Sequence, residues 1–538
     1  MTRSAAPARG ASKPRAGNVA SGAAAAAAAA ADTAAAEPGL LDNRLLQFVL
    51  CMIVAVSAYI YISPSPISPV AFTLPAPADY GAVTTFDLNK AQLAWKARVN
   101  KGPESIAFDP AGKWAYFGSA DGKILRASLA SPLSAPEPMT TVGDPNRALP
   151  LPCGTYDTQA ICGRPLGMAY HPNGFLVFAD AYFGLLAMDP ISGQLQRITN
   201  SVTDPATRKT EEFSFANGLT VARDGKIYFT ISSTKHELKD YMLEILESGN
   251  NGGVAVYDPA SRKTTYLTAR NALSFPNGVV LSPDESFLIV SELNRARLVK
   301  IPLAGPKKGQ PSTYADNLPT LPDNLRWADG LLLVGGSAHR AAGSFSLVDL
   351  VASRPWARKL LAKAVPKKYL AAVAGDATPV LVVLRPVSAG AGTANQRGEV
   401  VQVMRASNSR VAHLSEAAYF NGALYLGSYG GDVLGVAKLT WSPETLVAAS
   451  PRAGLAGVVD GAAESREAKR AVRAARAAAK GERRALEKAA ASAPGAGSAA
   501  AAARQQEEEE AMLAAMEEAE EDEEEEVARD ENEQKTEL

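Results

Sequence analysis

The chain has 538 residues and a net charge of −1, with 55 basic side chains against 56 acidic ones. That length holds a large domain with extensions, and neither a basic excess nor a base-reading motif points to a nucleic-acid partner. The near-neutral balance conceals three regions of different character.

Residues 1–44 are of low complexity, with an alanine run from Ala23 to Ala31 and Arg3, Arg9, Lys13, Arg15 and Arg44 against Asp32, Glu37 and Asp42. This arm is expected to be unstructured or transiently helical, and cytoplasmic. Residues 45–62, LLQFVLCMIVAVSAYIYI, then run without a charge and stop at SPSPISP. As a helix they span about 27 Å, enough for a bilayer core. A cleaved signal peptide and a buried core helix are the competing readings. The long preceding arm and the length of the run favour a transmembrane signal anchor. Basic residues on its N-terminal side make the chain a single-pass type II membrane protein, with everything after residue 62 in the lumen or outside the cell.

From residue 80 to 442 a strand, a Pro/Asn/Asp-Gly turn and a second strand recur at roughly 46- to 62-residue intervals, with one wider gap before the last copy. The runs are GPESIAFDPAGKWAYFGS, GRPLGMAYHPNGFLVFAD, FANGLTVARDGKIYFTIS, FPNGVVLSPDESFLIVSE, LPDNLRWADGLLLVGGS and HLSEAAYFNGALYLGSY. Six such units predict an all-β fold, a six-bladed β-propeller whose innermost strands line a central channel. Aligned on their shape, they put Glu104, Leu166, Asn217, Asn277, Asp323 and Ser415 in one column. In a propeller that column becomes a ring. Glu104 and Asp323 supply charge, and Asn217, Asn277 and Asn324 supply neutral oxygens, a donor set suited to Ca²⁺. The column holds neither Cys nor His, which disfavours zinc. Asn-Gly and Asp-Asn are also ordinary turn residues; their recurrence in phase favours the ligand reading.

Cys153 and Cys162 are the only cysteines outside the apolar run. Nine residues apart, they suit a short disulfide-closed loop in an oxidising compartment, against the alternative of two unrelated thiols. Among the four histidines, His171 sits in an HPNG turn, where capping is the expected role, and His339 just past the fifth unit's second strand. Beyond about residue 452 the sequence turns basic and alanine-rich and then, over 507–531, dominated by Glu. This tail, 452–538, is expected to be solvated helix or disorder, with a fold-back hairpin, a basic partner or weak Ca²⁺ binding by the Glu run as alternatives. The terminal Lys535-Thr536-Glu537-Leu538 differs by one residue from an endoplasmic-reticulum retrieval signal, so a retrieval receptor competes with chance similarity.

The motifs CGRPLG, FANGL, YFTISS, KDYMLEILE, FPNGVVLSP, LPDNLR, SRPWARK and LYLGSY closely resemble the strictosidine-synthase-like group that includes the adipocyte plasma membrane-associated proteins. More distantly the chain is similar to Ca²⁺-dependent paraoxonases and to gluconolactonases. The resemblance covers about residues 80–440. It implies the Cys153–Cys162 pair, a channel Ca²⁺, and hydrolysis of a small-molecule ester or lactone, with His339 as candidate base although it is displaced by two residues from the paraoxonase position. Strictosidine synthases place their catalytic glutamate at the last column member, which here is Ser415. The adjacent Glu416 is expected to point to the opposite face of its strand and not to replace it. Two functions are therefore expected: a luminal Ca²⁺-dependent hydrolase of the endoplasmic reticulum or cell surface, or a non-enzymatic binding propeller stabilised by its ion.

Overall fold

The structure is a computed structural model that describes residues 44–78, 80, 84–88, 92–94, 102–131, 135–143, 151–340, 346–373, 378–388, 396–405, 413–431 and 434–438. The low-complexity arm and the whole charged tail, including Lys535–Leu538, lie outside the described residues.

The apolar, β-branched runs form strands, and the Pro-Asn-Gly and Asp-Gly signals turn them back on each other. The resulting strands fall into six sheets. At the inner edge of each sheet, in chain order, lie Ile106–Phe108, Pro165–Tyr170, Phe215–Val221, Pro276–Leu281, Thr320–Ala328 and Leu414–Phe420. Each inner strand touches the next, and the last touches the first. This is the all-β, propeller-like arrangement that the repeats predict.

Two short early strands join sheets formed late in the chain. Gln92–Ala94 pairs antiparallel with Leu434–Lys438 of the last sheet, so that sheet is built from both ends of the repeat region. Thr84–Asp87 adds in parallel to Gln396–Arg405.

Cohesion comes from six apolar clusters, one between each pair of neighbouring sheets. Between the second and third, for example, Val177, Ala179 and Leu185 meet Leu219, Phe229 and Ile231. Full burial of a side chain such as Phe229 contributes about 2 to 3 kcal/mol. No single sheet buries both of its faces alone, so the stability of each depends on its two neighbours.

A helical layer covers one end of the ring. Its members are Tyr241–Glu247, Leu347–Ala352, Pro355–Ala364 and Leu370–Val373. Ser346 caps the second of these by accepting from the Asp349 amide, and Pro355 stands at the first turn of the third, where its missing N–H costs nothing. Leu243, Leu246, Ala362 and Leu370 pack into one cluster with Ile67. Residues 63–76 therefore lie across this layer, held by Arg358 Nη2 to the Val70 carbonyl (2.6 Å) and Arg340 Nη2 to the Pro75 carbonyl (3.0 Å).

The first apolar run forms the helix Arg44–Ile62, with Phe48, Ile53, Val54 and Tyr59 exposed. Among the described residues no helix is long and apolar enough to cross a membrane. Cys153 and Cys162 form a disulfide with Cα atoms 5.8 Å apart, while Cys51 is free.

Candidate metal centre at the hub

A proline stands before four of the six column members: Pro103, Pro165, Pro276 and Pro322. Proline cannot donate to the sheet ladder, and it is tolerated where the ladder is already broken. The ladder does break there. Pairing slips between Pro165 and Met168, Ala216 and Leu219, Pro276 and Val279, Pro322 and Leu325, and Leu414 and Glu416. A bulge at one level in five inner strands re-aims successive side chains and lifts strict alternation.

Glycines after the column members let neighbouring strands approach closely. A Cβ on Gly218 would stand 2.6 Å from the Asn277 carbonyl oxygen, and one on Gly278 would stand 2.6 Å from that of Asp323. At the other side of the ring, Ser415 Oγ donates to the Glu104 carbonyl at 2.7 Å and Asn324 Nδ2 reaches the same oxygen at 3.5 Å. The column is thus a closed ring. Glu104, Asn217, Asn277, Asp323 and Asn324 are all buried in it, and Leu166 supplies its apolar member.

Asn277 and Asp323 bond to each other through their side chains, yet part of the donor set is left without a partner. Asn217 donates its amide N–H to Ser232 Oγ at 3.0 Å, which leaves Asn217 Oδ1 without a partner. Asn277 Oδ1 and Asp323 Oδ1 are likewise buried and unpaired. Each such oxygen costs about 1 to 3 kcal/mol unless a partner meets it. Burial, and then the nearby Glu416, push Glu104 up to about 7, against the opposing charge of Arg164. Burial with the Glu104 and Glu416 charges likewise raises Asp323 well above the usual carboxylate range. Two carboxylates and unpaired amide oxygens around one axis are the donor types that a hard cation takes. No trio of His, Cys, Asp and Glu side chains placed to hold a metal occurs among the described residues, so the candidate ligand set depends on its amides.

Above the ring, on the side of the helical layer, stand the residues two places before each member. Phe215, Phe275 and Leu321 make an apolar wall with Tyr241 and Ile245 of the covering helix. Phe275 adopts φ +54°, a strained backbone for a bulky side chain, of the sort that persists at sites the surroundings over-determine. Arg164 stands at the same level, with Nη2 3.5 Å from Glu104 Oε2 and 2.9 Å from the Tyr429 carbonyl. On the far side of the ring Arg326 reaches across to the first two inner strands, donating from Nη2 to Ser105 Oγ (2.9 Å) and to the Ile106 and Met168 carbonyls (both 3.1 Å).

Glu416 departs from the expectation made for it. It is buried in the same network, its Oε1 accepting from the Ile106 amide at 2.8 Å and lying 3.1 Å from Arg326 Nε. The bulge at Leu414/Glu416 removes the alternation on which the expectation rested. No proline marks that bulge, so only the adjacency of an acid to the column could have signalled it.

His339 lies in register with Thr320. Its Nε2 is 3.0 Å from Arg405 Nη1, and since a guanidinium only donates, that nitrogen accepts. Asp180, Glu292 and Ser428 each face the residue just before a column member, the place that Gly336 holds opposite Pro322, so His339 lies three residues beyond it. Those three side chains accept from the backbone N–H groups of Arg164, Ser274 and Gly431 respectively. His171 behaves as expected of a turn residue, its Nδ1 accepting from the Asn173 amide at 3.1 Å.

Comparison with known proteins adds to this picture. Residues 204–306 match the strictosidine synthase family and residues 87–127 the N-terminal strictosidine synthase-like family. The adipocyte plasma membrane-associated protein of Danio rerio is 32% identical over 390 residues, covering 72% of this chain and 87% of that protein. Protein strictosidine synthase-like 13 of Arabidopsis thaliana is 33% identical over 288 residues, covering 51% of this chain and 67% of that one. A gluconolactonase of Xanthomonas campestris has a solved structure with 15% identity and a TM-score of 0.41, covering 70% of this chain and 98% of that one.

Proposed function

Because this chain belongs to the strictosidine-synthase-like family of adipocyte plasma membrane-associated proteins, we propose that it is a membrane-anchored luminal hydrolase that uses Ca²⁺ to cleave esters or lactones. In this reading each of the six sheets is one blade. Glu104, Asn217, Asn277, Asp323 and Asn324 hold the ion. The observation that carries the reading is the convergence of unpaired Asn217 Oδ1, Asn277 Oδ1 and Asp323 Oδ1 with a second buried carboxylate, Glu104. Bound there, Ca²⁺ supplies Lewis-acid polarisation of a carbonyl.

The chain's own groups do the rest. Phe215, Phe275 and Leu321 exclude bulk water above the ring and favour an apolar acyl or alkyl group. Arg164, held beside Glu104, adds positive charge where an ester oxygen would gain negative charge. With Ser415 in place of the strictosidine synthase glutamate, and bonded to the Glu104 carbonyl, condensation of an amine with an aldehyde is disfavoured.

The anchor is read from the uncharged sequence run 45–62, and the Cys153–Cys162 disulfide supports an oxidising compartment on the far side of it. Retrieval to the endoplasmic reticulum through Lys535–Leu538 belongs to the same proposal, with the cell surface as the alternative destination.

One observation favours a second reading. The His339 nitrogen that would accept a proton already accepts from Arg405, which suits a non-enzymatic propeller whose ion closes the ring. Assay of the purified chain with phenyl acetate and small lactones, with and without chelator, separates the two. Ca²⁺-dependent turnover lost in Glu104→Gln and Asp323→Asn supports hydrolysis. Loss of thermal stability with no turnover in the wild type supports the binding propeller.

A further inference from the structure

The helical layer exposes apolar side chains on the face turned away from the ring. In Pro355–Ala364 the inward face carries Arg358, Leu361 and Ala362, as amphipathic spacing requires. The outward face carries Trp356, 68% exposed, and Leu360, one turn apart. Leu350, Tyr369 and Val373 on the flanking elements are exposed as well. From Arg354 to Val373 the sequence contains Arg354, Arg358, Lys359, Lys363, Lys367 and Lys368 and no acidic residue. A soluble surface of this size mixes charges of both signs.

The occupant is indicated by what adjoins the patch. Lys363 Nζ donates to the Ile60 and Tyr61 carbonyls, at 3.0 and 3.2 Å, where the helix Arg44–Ile62 ends. The following segment is fastened to the same layer, with the Val70 amide donating to the Glu247 carbonyl at 3.0 Å. The layer is therefore tethered directly to the end of the apolar helix. Exposed Trp and Tyr beside lysines, of which Lys367 alone is set against an acid among the described residues, Asp240 at 2.9 Å, have the chemistry of a surface seated at a membrane boundary, where lysines reach the lipid phosphates.

We propose that residues 347–373 form a membrane-interfacial face that inserts Trp356 and Leu360 among lipid acyl chains and sets Lys359 and Lys368 against the lipid phosphates. This rests on the reading of Arg44–Ile62 as a membrane span and goes beyond it. Since the same layer covers the wall made by Phe215, Phe275 and Leu321, the capped end of the ring lies next to the leaflet.

The test uses the full-length chain reconstituted in vesicles of phosphatidylcholine and phosphatidylserine, with bromine on the upper acyl chain as a quencher of tryptophan emission. The chain has five tryptophans, so the Trp356 signal is the difference between wild type and Trp356→Phe. That difference signal is expected to be strongly quenched, and the quenching to weaken in Lys359→Glu/Lys368→Glu when phosphatidylserine is present. Equal emission from Trp356 in brominated and ordinary vesicles overturns the proposal. A sodium carbonate wash of the same vesicles reports separately on the span. A chain that resists the wash while Trp356 stays bright keeps its anchor and loses the docking face. A chain that the wash removes, after Trp356 had been quenched, loses the anchor and keeps the face.

Discussion

Ser415 Oγ donates to the Glu104 carbonyl at 2.7 Å, joining positions 311 residues apart and closing the ring of inner strands between the last sheet and the first. Both residues are buried, so the bond holds the Glu104 backbone at the level of the other ring oxygens.

Ser415→Ala removes that donor and leaves a buried carbonyl with the weaker Asn324 contact alone. A loss of about 1 to 2 kcal/mol in urea unfolding is expected, with no change in the slope against denaturant.

Gly278→Ala is expected to cost more. Its Cβ would meet the Asn324 Cα and the Asp323 carbonyl, both 2.6 Å away, and backbone cannot swing aside as a side-chain end can. Destabilisation of roughly 1 to 3 kcal/mol should accompany weakened Ca²⁺ binding in calorimetric titration, because Asp323 itself is displaced.

Asp349 anchors the buried Arg340 through a two-point contact, 2.9 Å to Nε and 2.7 Å to Nη2. Burial alone would raise the Asp349 carboxyl, but the Arg340 and Ser346 hydrogen bonds outweigh it and hold the carboxyl below its ordinary value. A depressed folded value means stability that is present above the unfolded pKa of about 4 and lost as pH falls through the lower folded one. Asp349→Asn should destabilise by roughly 2 to 4 kcal/mol at neutral pH, since it leaves Arg340 buried without its counter-charge. The variant's stability should fall less steeply than the wild type's when melting is followed into acid.

Reduction of Cys153–Cys162 should lower stability by about 2 to 3 kcal/mol, because the open loop regains chain entropy. A reductant-dependent drop in melting temperature in the wild type, absent from Cys153→Ser/Cys162→Ser, is the expected pattern.

The hub was legible in the sequence because one short motif does two jobs. In FPNGVV and LPDNLR the proline marks the bulge and the next residue is the ring oxygen, so a turn-like signal also gives the site. Glu416 was not legible, since Leu414 precedes its bulge and alternation was the only rule left to apply. The helical layer escaped for a different reason. Three of its four helices occupy the wider gap between Asp323 and Ser415, where no repeat sets the frame, and their apolar residues face outward as well as inward. His339 is a case of position without environment: the sequence placed it just past a second strand, whereas it is that strand's last residue and only the fold sets Arg405 against its nitrogen.

Metal content of the purified chain, measured by mass spectrometry together with melting in Ca²⁺ and in chelator, bears most directly on the hub. We expect one tightly held Ca²⁺ per wild-type chain and a fall in melting temperature on chelation. In Glu104→Gln and Asp323→Asn the ion should be absent and chelator should have little effect. A wild-type chain that carries no divalent ion and melts identically with and without Ca²⁺ would contradict the assignment of these oxygens to a cation.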